Sequence, residues 1–345
     1  MKTKEFLRKN PYTGLLLVFL AVVLIILTIA NAGTFWTAGT WKGIVMQFPE
    51  YGVMAVGLMF AFILGQMDMS FVMLGNFATV LGSMYLAKNV TADMSKGQQF
   101  GHMFVMFLIV MAVGALGGII NGLLISKLNI PPVVATIGMQ MVWLGFSKGI
   151  TNGKSVSIKE VPLYTELGHS TVLGFIPWPL FVFILMFILG YLILNFTSFG
   201  KKVYMCGTNM KAGKFSGINT DRLIIVTLVL CDMICCIGSM LMVSTLNSAK
   251  ADNGDSYTMT IVLVLCLAGI LPDGGIGKVG NLIFSILIIQ LIKSGVNMFP
   301  NLNSFVANFI YGGLLVVVLI LSTYMTADGF SFMKKKPAKK AEAKA

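Results

Sequence analysis

A succession of apolar runs, each about as long as a membrane is thick, constrains this chain more than any other feature. The runs fall near residues 14–31, 51–66, 70–87, 103–126, 132–150, 176–196, 223–245, 257–272, 279–298 and 305–325. A helix rises about 1.5 Å per residue, so about 20 mostly apolar residues cross a hydrocarbon core of about 30 Å. Inside lipid every backbone N–H and C=O must be paired within the chain, which leaves only helices or closed barrels. Unbroken apolar runs of this length select helices. The expected fold class is therefore all-α: a polytopic membrane protein of about ten transmembrane helices, with the second and eighth runs the shortest. Composition agrees. Only 11% of the 345 residues are charged and 57% are hydrophobic, whereas a soluble domain carries about 25% charged residues.

Charge gives the direction. With a cytoplasmic N-terminus (residues 1–12) and ten crossings in a membrane domain over 13–326, one side collects most of the 25 basic residues. These are Lys2, Lys4, Arg8 and Lys9, then Lys127, the group Lys201, Lys202, Lys211, Lys214 and Arg222, then Lys278 and the lysines from Lys334 onward. Basic residues accumulate on the cytoplasmic side of membrane proteins, so both termini are expected there, in a bacterial inner membrane. The net charge of +12 is then a matter of topology and of contact with anionic lipid headgroups, and calls for no nucleic acid. The Lys- and Ala-rich tail 327–345 repels itself and is expected to be disordered. Ala30-Asn31-Ala32 also resembles a signal-peptidase site, whose cleavage would leave nine spans. The run before it is longer than most signal cores, so an uncleaved first helix is expected.

Catalytic patterns are missing from the sequence. Gly275-Ile276-Gly277-Lys278-Val279-Gly280 matches a dinucleotide fingerprint but lies between two apolar runs, without the strand–helix–strand context that gives the pattern meaning. Gly213-Lys214 and Gly277-Lys278 approach a phosphate-binding loop. In both, the first glycine is replaced (Thr208, Pro272) and Phe215 or Val279 stands where a hydroxyl is needed. No ATPase, enzyme or resident cofactor is expected in this chain. The five cysteines and two histidines lack metal-ligand spacing, so no metal is expected either.

The remaining candidates are polar residues inside apolar runs, where a charge costs about 2.5–3.5 kcal/mol. Asp68, in Gly65-Gln66-Met67-Asp68-Met69-Ser70, either caps the helix starting near Ser70 or belongs to a solute path. Asp232 lies deeper in its run. Lys293 is placed near a helix end, where it can snorkel to the surface. Gln66, Ser70, Asn76, Asn121, Thr136, Gln140 and Gln290 either line a path for a hydroxyl-rich solute or join helices by hydrogen bonds. Gly118-x-x-x-Gly122 is a small-residue packing pattern.

The stretch 197–222 is long for a connection between helices that are otherwise tightly joined. Met210 to Phe215 is expected to form a short helix capped by Asn209 and ended by Ser216-Gly217. It suits docking into a groove on another protein, or lying on the headgroups.

Four blocks now resemble the permease subunits of bacterial sugar ABC importers of the ribose, galactose and xylose type, which share a fold with branched-chain amino-acid permeases. The likeness covers about 45–325. Gly65–Ser70 is similar to the family's Gly-x-Asp-Leu-Ser. Asn121-Gly122-Leu123-Leu124-Ile125 with Ile130-Pro131-Pro132-Val133-Val134-Ala135-Thr136-Ile137-Gly138 is similar to its Asn-Gly-x-x-Ile…Pro-Pro-Phe-Ile-Ala-Thr-Leu-Gly. Thr197–Asn219 is similar to its Thr-x-Phe-Gly…Gly-x-Asn-x-x-Ala-Ala…Ser-Gly-Ile-Asn loop. Ala268-Gly269 with Gly274-Gly275-Ile276-Gly277 resembles a glycine-rich turn more weakly.

The resemblance implies a permease dimer, built from two copies or from this chain and a paralogue. It also implies a separate ABC ATPase subunit that uses ATP and Mg, and an extracytoplasmic solute-binding protein. The stretch 197–222 would be the coupling element, through Gly207, Asn209, Lys211, Ala212, Ser216, Gly217, Ile218 and Asn219. Lys211-Ala212-Gly213 departs from the family's acidic residue before Ala-Ala, which points to an ATPase of complementary charge; Pro272-Asp273 also replaces the usual small polar residues. The solute expected from the resemblance is a monosaccharide, or a nucleoside or autoinducer-type sugar in the same family. An ion-coupled secondary transporter is the rival from another class, because Asp68 and Asp232 fall in different halves of the chain.

Overall fold

The computed structural model describes residues 11–298 apart from 92, 173 and 175, together with positions 309, 312, 313 and 316. Apart from those four positions, the expected tenth span lies outside the described residues, as do residues 1–10 and the basic tail 327–345.

The chain runs α1 (Pro11–Phe35), α2 (Ala38–Leu64), α3 (Phe71–Asn89), α4 (Lys96–Ser126), α5 (Pro132–Thr151), β1 (Val156–Ser157), α6 (Pro162–His169), β2 (Thr171–Val172), β3 (Ile176–Pro177) and α7 (Trp178–Phe196). It continues with α8 (Ser198–Thr208), α9 (Met210–Phe215), α10 (Thr220–Leu246), β4 (Ser248–Ala249), α11 (Tyr257–Leu267) and α12 (Asn281–Asn297). The strands form two antiparallel two-residue pairs, β1 with β4 and β2 with β3. Among the described residues, seven helices (α1 to α5, α7 and α10) are long and apolar enough to cross a membrane. α11 and α12 are shorter.

α2 is the axis of the bundle. Every residue from Phe48 to Leu64 is buried, so neighbouring helices enclose this part of α2 on all sides. α10 lies along it, also packing on α3 and α4, while α7, α11 and α12 cover the rest. α1 packs on α12 and α5 on α3. These outer helices turn large apolar side chains outward, such as Ile29 and Val134, as a lipid-facing surface requires.

Glycine sets the closest approach. A Cβ on Gly118 would stand 2.5 Å from Val229 Cα, and one on Gly122 would stand 2.7 Å from Ile225 Cα. The Gly118-x-x-x-Gly122 pattern therefore brings the backbone of α4 onto that of α10. We expect Gly118→Val to force these helices apart, because no side-chain movement relieves a clash with backbone. A sharp fall in folded yield and unfolding temperature in detergent would be the readout.

Two expected spans are corrected. The second does not begin at 51 but at Ala38, with Pro49 inside the helix. Gln47, Pro49 and Glu50 precede the expected run, yet the helix passes through them and buries Glu50. The eighth run, 257–272, is helical only over Tyr257–Leu267, about 16 Å and half a membrane core. Gly269, at φ 76°, ends it in a conformation that glycine adopts without strain. The turn before α11 reaches into the bundle. Asn76 Nδ2, on α3, donates to the carbonyls of Ala251 (3.1 Å) and Asn253 (2.7 Å).

Candidate functional site

The first polar centre lies where α2 hands over to α3. Gly65, at φ 75°, closes α2, and the next residues fold back into the bundle. Asp68 is fully buried. Its Oδ1 accepts from the Ser70 backbone N–H (2.7 Å) and hydroxyl (2.8 Å), and its Oδ2 accepts from Asn121 Nδ2 (3.0 Å). Asn121 also donates to Ser70 Oγ at 2.8 Å. On α5, Thr136 Oγ1 accepts from Met69 N–H at 3.0 Å. Asp232, on α10, lies beside Asp68, and both of its carboxyl oxygens are buried without a hydrogen-bond partner among the described residues.

Asp68, Ser70, Asn121 and Thr136 thus converge although they lie on three segments. Asp68 ties down the connecting segment; α3 starts after Ser70 without a side-chain cap. Gln66 opens the same segment, its amide oxygen buried without a partner. Gln140 lies one turn beyond Thr136 and is half-buried. Asn76 stands apart, holding the turn before α11. Lys293 does not snorkel. Its half-buried ammonium lies over the rings of Tyr51 and Tyr257, 5.8 and 5.1 Å from their centroids, because this face of α12 packs inward on α2 and α11.

The second centre is the 197–222 stretch, which is a helical hairpin. Thr197 caps α8, accepting from Gly200 N–H at 3.1 Å. Asn209 caps α9, accepting from Ala212 N–H at 3.0 Å. Ser216 Oγ donates to the Ala212 carbonyl (2.9 Å), Gly217 turns at φ 81°, and Asn219 Oδ1 accepts from Arg222 N–H (3.0 Å) to start α10. The Met210–Phe215 helix lies where the sequence places it. α8 was hidden there by Gly200 and Gly207, and the Thr197 cap was its one available signal.

Glycines hold the hairpin. Gly207 presses its bare Cα against the Ile63 carbonyl and the Gly275 amide, while Gly275 N–H donates to Ile63 O at 2.7 Å. A Cβ on Gly274 would stand 2.8 Å from Gly65 N and 2.9 Å from Gly207 O. Tyr204 donates to the Gly277 carbonyl at 2.9 Å; burial raises the pKa of its phenol, which keeps the proton in place. α8 is therefore clamped between the end of α2 and the 274–277 turn. The opposite face is open, with Lys211, Ala212, Lys214, Ser216 and Gly217 exposed and Phe215 92% exposed. Beside it, Leu194, Lys201, Tyr204, Met205, Thr208 and Gly275 line much of a groove of about 450 Å³.

An apolar bundle around a buried axial helix, with polar groups enclosed in its middle and an exposed hairpin clamped at one end, defines a multi-pass membrane permease. The family model described as "Branched-chain amino acid transport system / permease component" matches residues 40–319, and the chain belongs to this family of ABC-importer permeases. Over 315 residues it is 26% identical to the L-arabinose transport system permease protein AraH of Escherichia coli K12, covering 90% of each chain. Over 299 residues it is 24% identical to the ribose import permease protein RbsC of the same strain, covering 86% of this chain and 88% of the relative. RbsC of Bacillus subtilis is 27% identical over 208 residues, covering 60% and 64%. No solved structure matches.

Proposed function

We propose that this chain is the membrane-spanning permease subunit of an ABC importer that brings a monosaccharide into the cell. The observation that carries the coupling half of this reading is the hairpin of α8 and α9, clamped by backbone on one face and bare on the other. A second polypeptide can grip such an element from outside and move the bundle through it. A separate ATPase would bind there, through Asn209, Lys211, Ala212, Ser216, Gly217, Ile218 and Asn219, with Gly207 passing the motion inward. ATP and Mg act in that partner; this chain's part is mechanical. The sugar half rests on the arabinose and ribose permeases, which align along most of the chain.

The cycle is alternating access. ATP binding favours one arrangement of the bundle, and a ligand shifts such an equilibrium only through its differential affinity for the two states. Gly207 bears on Ile63 and Gly275, and α2 ends one residue beyond Ile63, so a displaced hairpin moves the Gly65–Ser70 segment that Asp68, Asn121 and Thr136 hold. These residues, with Gln66, Ser70, Asn76 and Gln140, are our candidates for the path. Solute would be delivered by an extracytoplasmic binding protein to a pair of permeases.

Uptake into proteoliposomes holding the permease, its ATPase and its binding protein tests the reading. Labelled L-arabinose or D-ribose is expected to enter only with ATP, and an ionophore is expected to leave the rate unchanged. Entry without ATP that follows an ion gradient would instead favour a secondary transporter, for which the Asp68–Asp232 contact is the natural ion-handling group.

A further inference from the structure

A third polar cluster lies farther from the hairpin, between α2, α11 and α12. Tyr257 donates its hydroxyl to Glu50 Oε1. Tyr51 donates to Gln290 Oε1 at 2.8 Å, and Gln290 Nε2 donates to Gln47 Oε1 at 3.2 Å. The two tyrosine rings meet edge to face at 5.9 Å, and Lys293 lies over both. Among the described residues no carboxylate comes within ion-pair distance of that ammonium.

Depth makes this cluster unusual. The ends of α2, α11 and α12 nearest the hairpin meet around Gly65 and Asp273–Gly274. Counted from those ends, Glu50 stands about 21 Å along α2, Tyr257 about 15 Å along α11 and Lys293 about 18 Å along α12. All three lie well inside the length of a hydrocarbon core of about 30 Å rather than at its hairpin-side edge. The irregular turn before α11 lies beside them, and non-helical backbone at this depth survives only when buried in protein or lining a watery cavity. Ionisable residues so placed are costly and mark solute or ion pathways. Burial is graded across the cluster, from Glu50, Tyr51 and Gln290 inside, through half-exposed Tyr257 and Lys293, to exposed Gln47. It is a polar funnel, not a sealed packing contact.

We propose that Glu50, Tyr51, Tyr257, Gln290 and Lys293 form a solute-contacting site well inside the membrane, for an uncharged polyhydroxylated molecule. A carboxylate accepts from two neighbouring hydroxyls, and an ammonium and an amide donate to ring and hydroxyl oxygens. Tyrosine faces cover the C–H surface of a sugar ring. One acid and one base cancel, which suits a neutral solute. The site deepens the import reading above and rests on it.

The test uses the complete complex in proteoliposomes, with L-arabinose and D-ribose at saturating binding protein. Uptake and ATP hydrolysis are measured side by side for Glu50→Gln, Tyr257→Phe and Lys293→Met. Tyr257→Phe keeps the ring and Glu50→Gln keeps an acceptor, so both variants guard against simple misfolding. Met259→Leu, on the outward face of α11 at 58% exposure, serves as the control. Sugar uptake is expected to fall at least tenfold in the site variants, while ATP hydrolysis stays within twofold of wild type and the control is unchanged. Unaltered uptake in Glu50→Gln and Tyr257→Phe would overturn the site. A parallel loss of uptake and hydrolysis would also overturn it, since that marks a purely structural role. Wild-type vesicles that take up neither sugar with ATP would defeat the sugar reading itself, and the site with it.

Discussion

Gly207→Val is expected to abolish ATP-driven uptake while the permease still inserts and still carries its ATPase. The variant adds a branched side chain where the glycine meets the Ile63 carbonyl and the Gly275 amide. Overpacking of this kind costs about 1–3 kcal/mol, too little to unfold a bundle of this size but enough to lift α8 off its seat. The 2.7 Å bond from Gly275 N–H to Ile63 O lies in the same contact and would be disturbed with it. Copurification of the ATPase measures attachment, and sugar uptake measures transmission. Wild-type uptake would show that the clamp carries no motion. Ser216→Trp, on the open face, is expected to do the opposite and release the ATPase itself.

Asn121→Leu is expected to destabilise the protein by about 1–3 kcal/mol, the cost of leaving a buried hydrogen-bonding group without its partner. Asn121 Nδ2 reaches both Asp68 Oδ2 and Ser70 Oγ. Leucine is close in size; it removes the whole amide, but the amide oxygen has no hydrogen-bond partner, so only the donor bonds are lost and packing on α10 through Gly118 and Gly122 should persist. Unfolding of the purified permease in detergent, monitored by heating, reads the loss. An unchanged midpoint would mean that Asp68 finds another donor there, and that the Gly65–Ser70 segment does not depend on this bond.

Much of this centre was legible in the residues. Gly65–Ser70, Asn121 and Thr136 stand out as polar interruptions of apolar runs, and the structure gathers them around one carboxylate. The Asn209 cap and the Gly217 turn likewise announce α9, because caps act locally. What stayed hidden depends on which helix faces which. Lys293 near a helix end reads as a snorkelling lysine until α12 is seen to turn it onto Tyr51 and Tyr257. Glu50 falls just outside the expected second run, and enclosure by neighbouring helices carries α2 through Pro49 and past it. Asp68 and Asp232 look independent in a sequence that separates them widely, and the close backbone contact of α4 and α10 through glycine helps bring them into one layer.

The clamp around Gly207 has one more consequence. Where side chains separate two elements, small displacements vanish into rotamer changes; here Gly207, Gly274 and Gly275 leave main chain resting on main chain, as gear teeth mesh without play. A shift of the outer hairpin by even an ångström should therefore arrive at Gly65 undiminished, tying each stroke of the motor to one step of the passage and leaving little room for slippage.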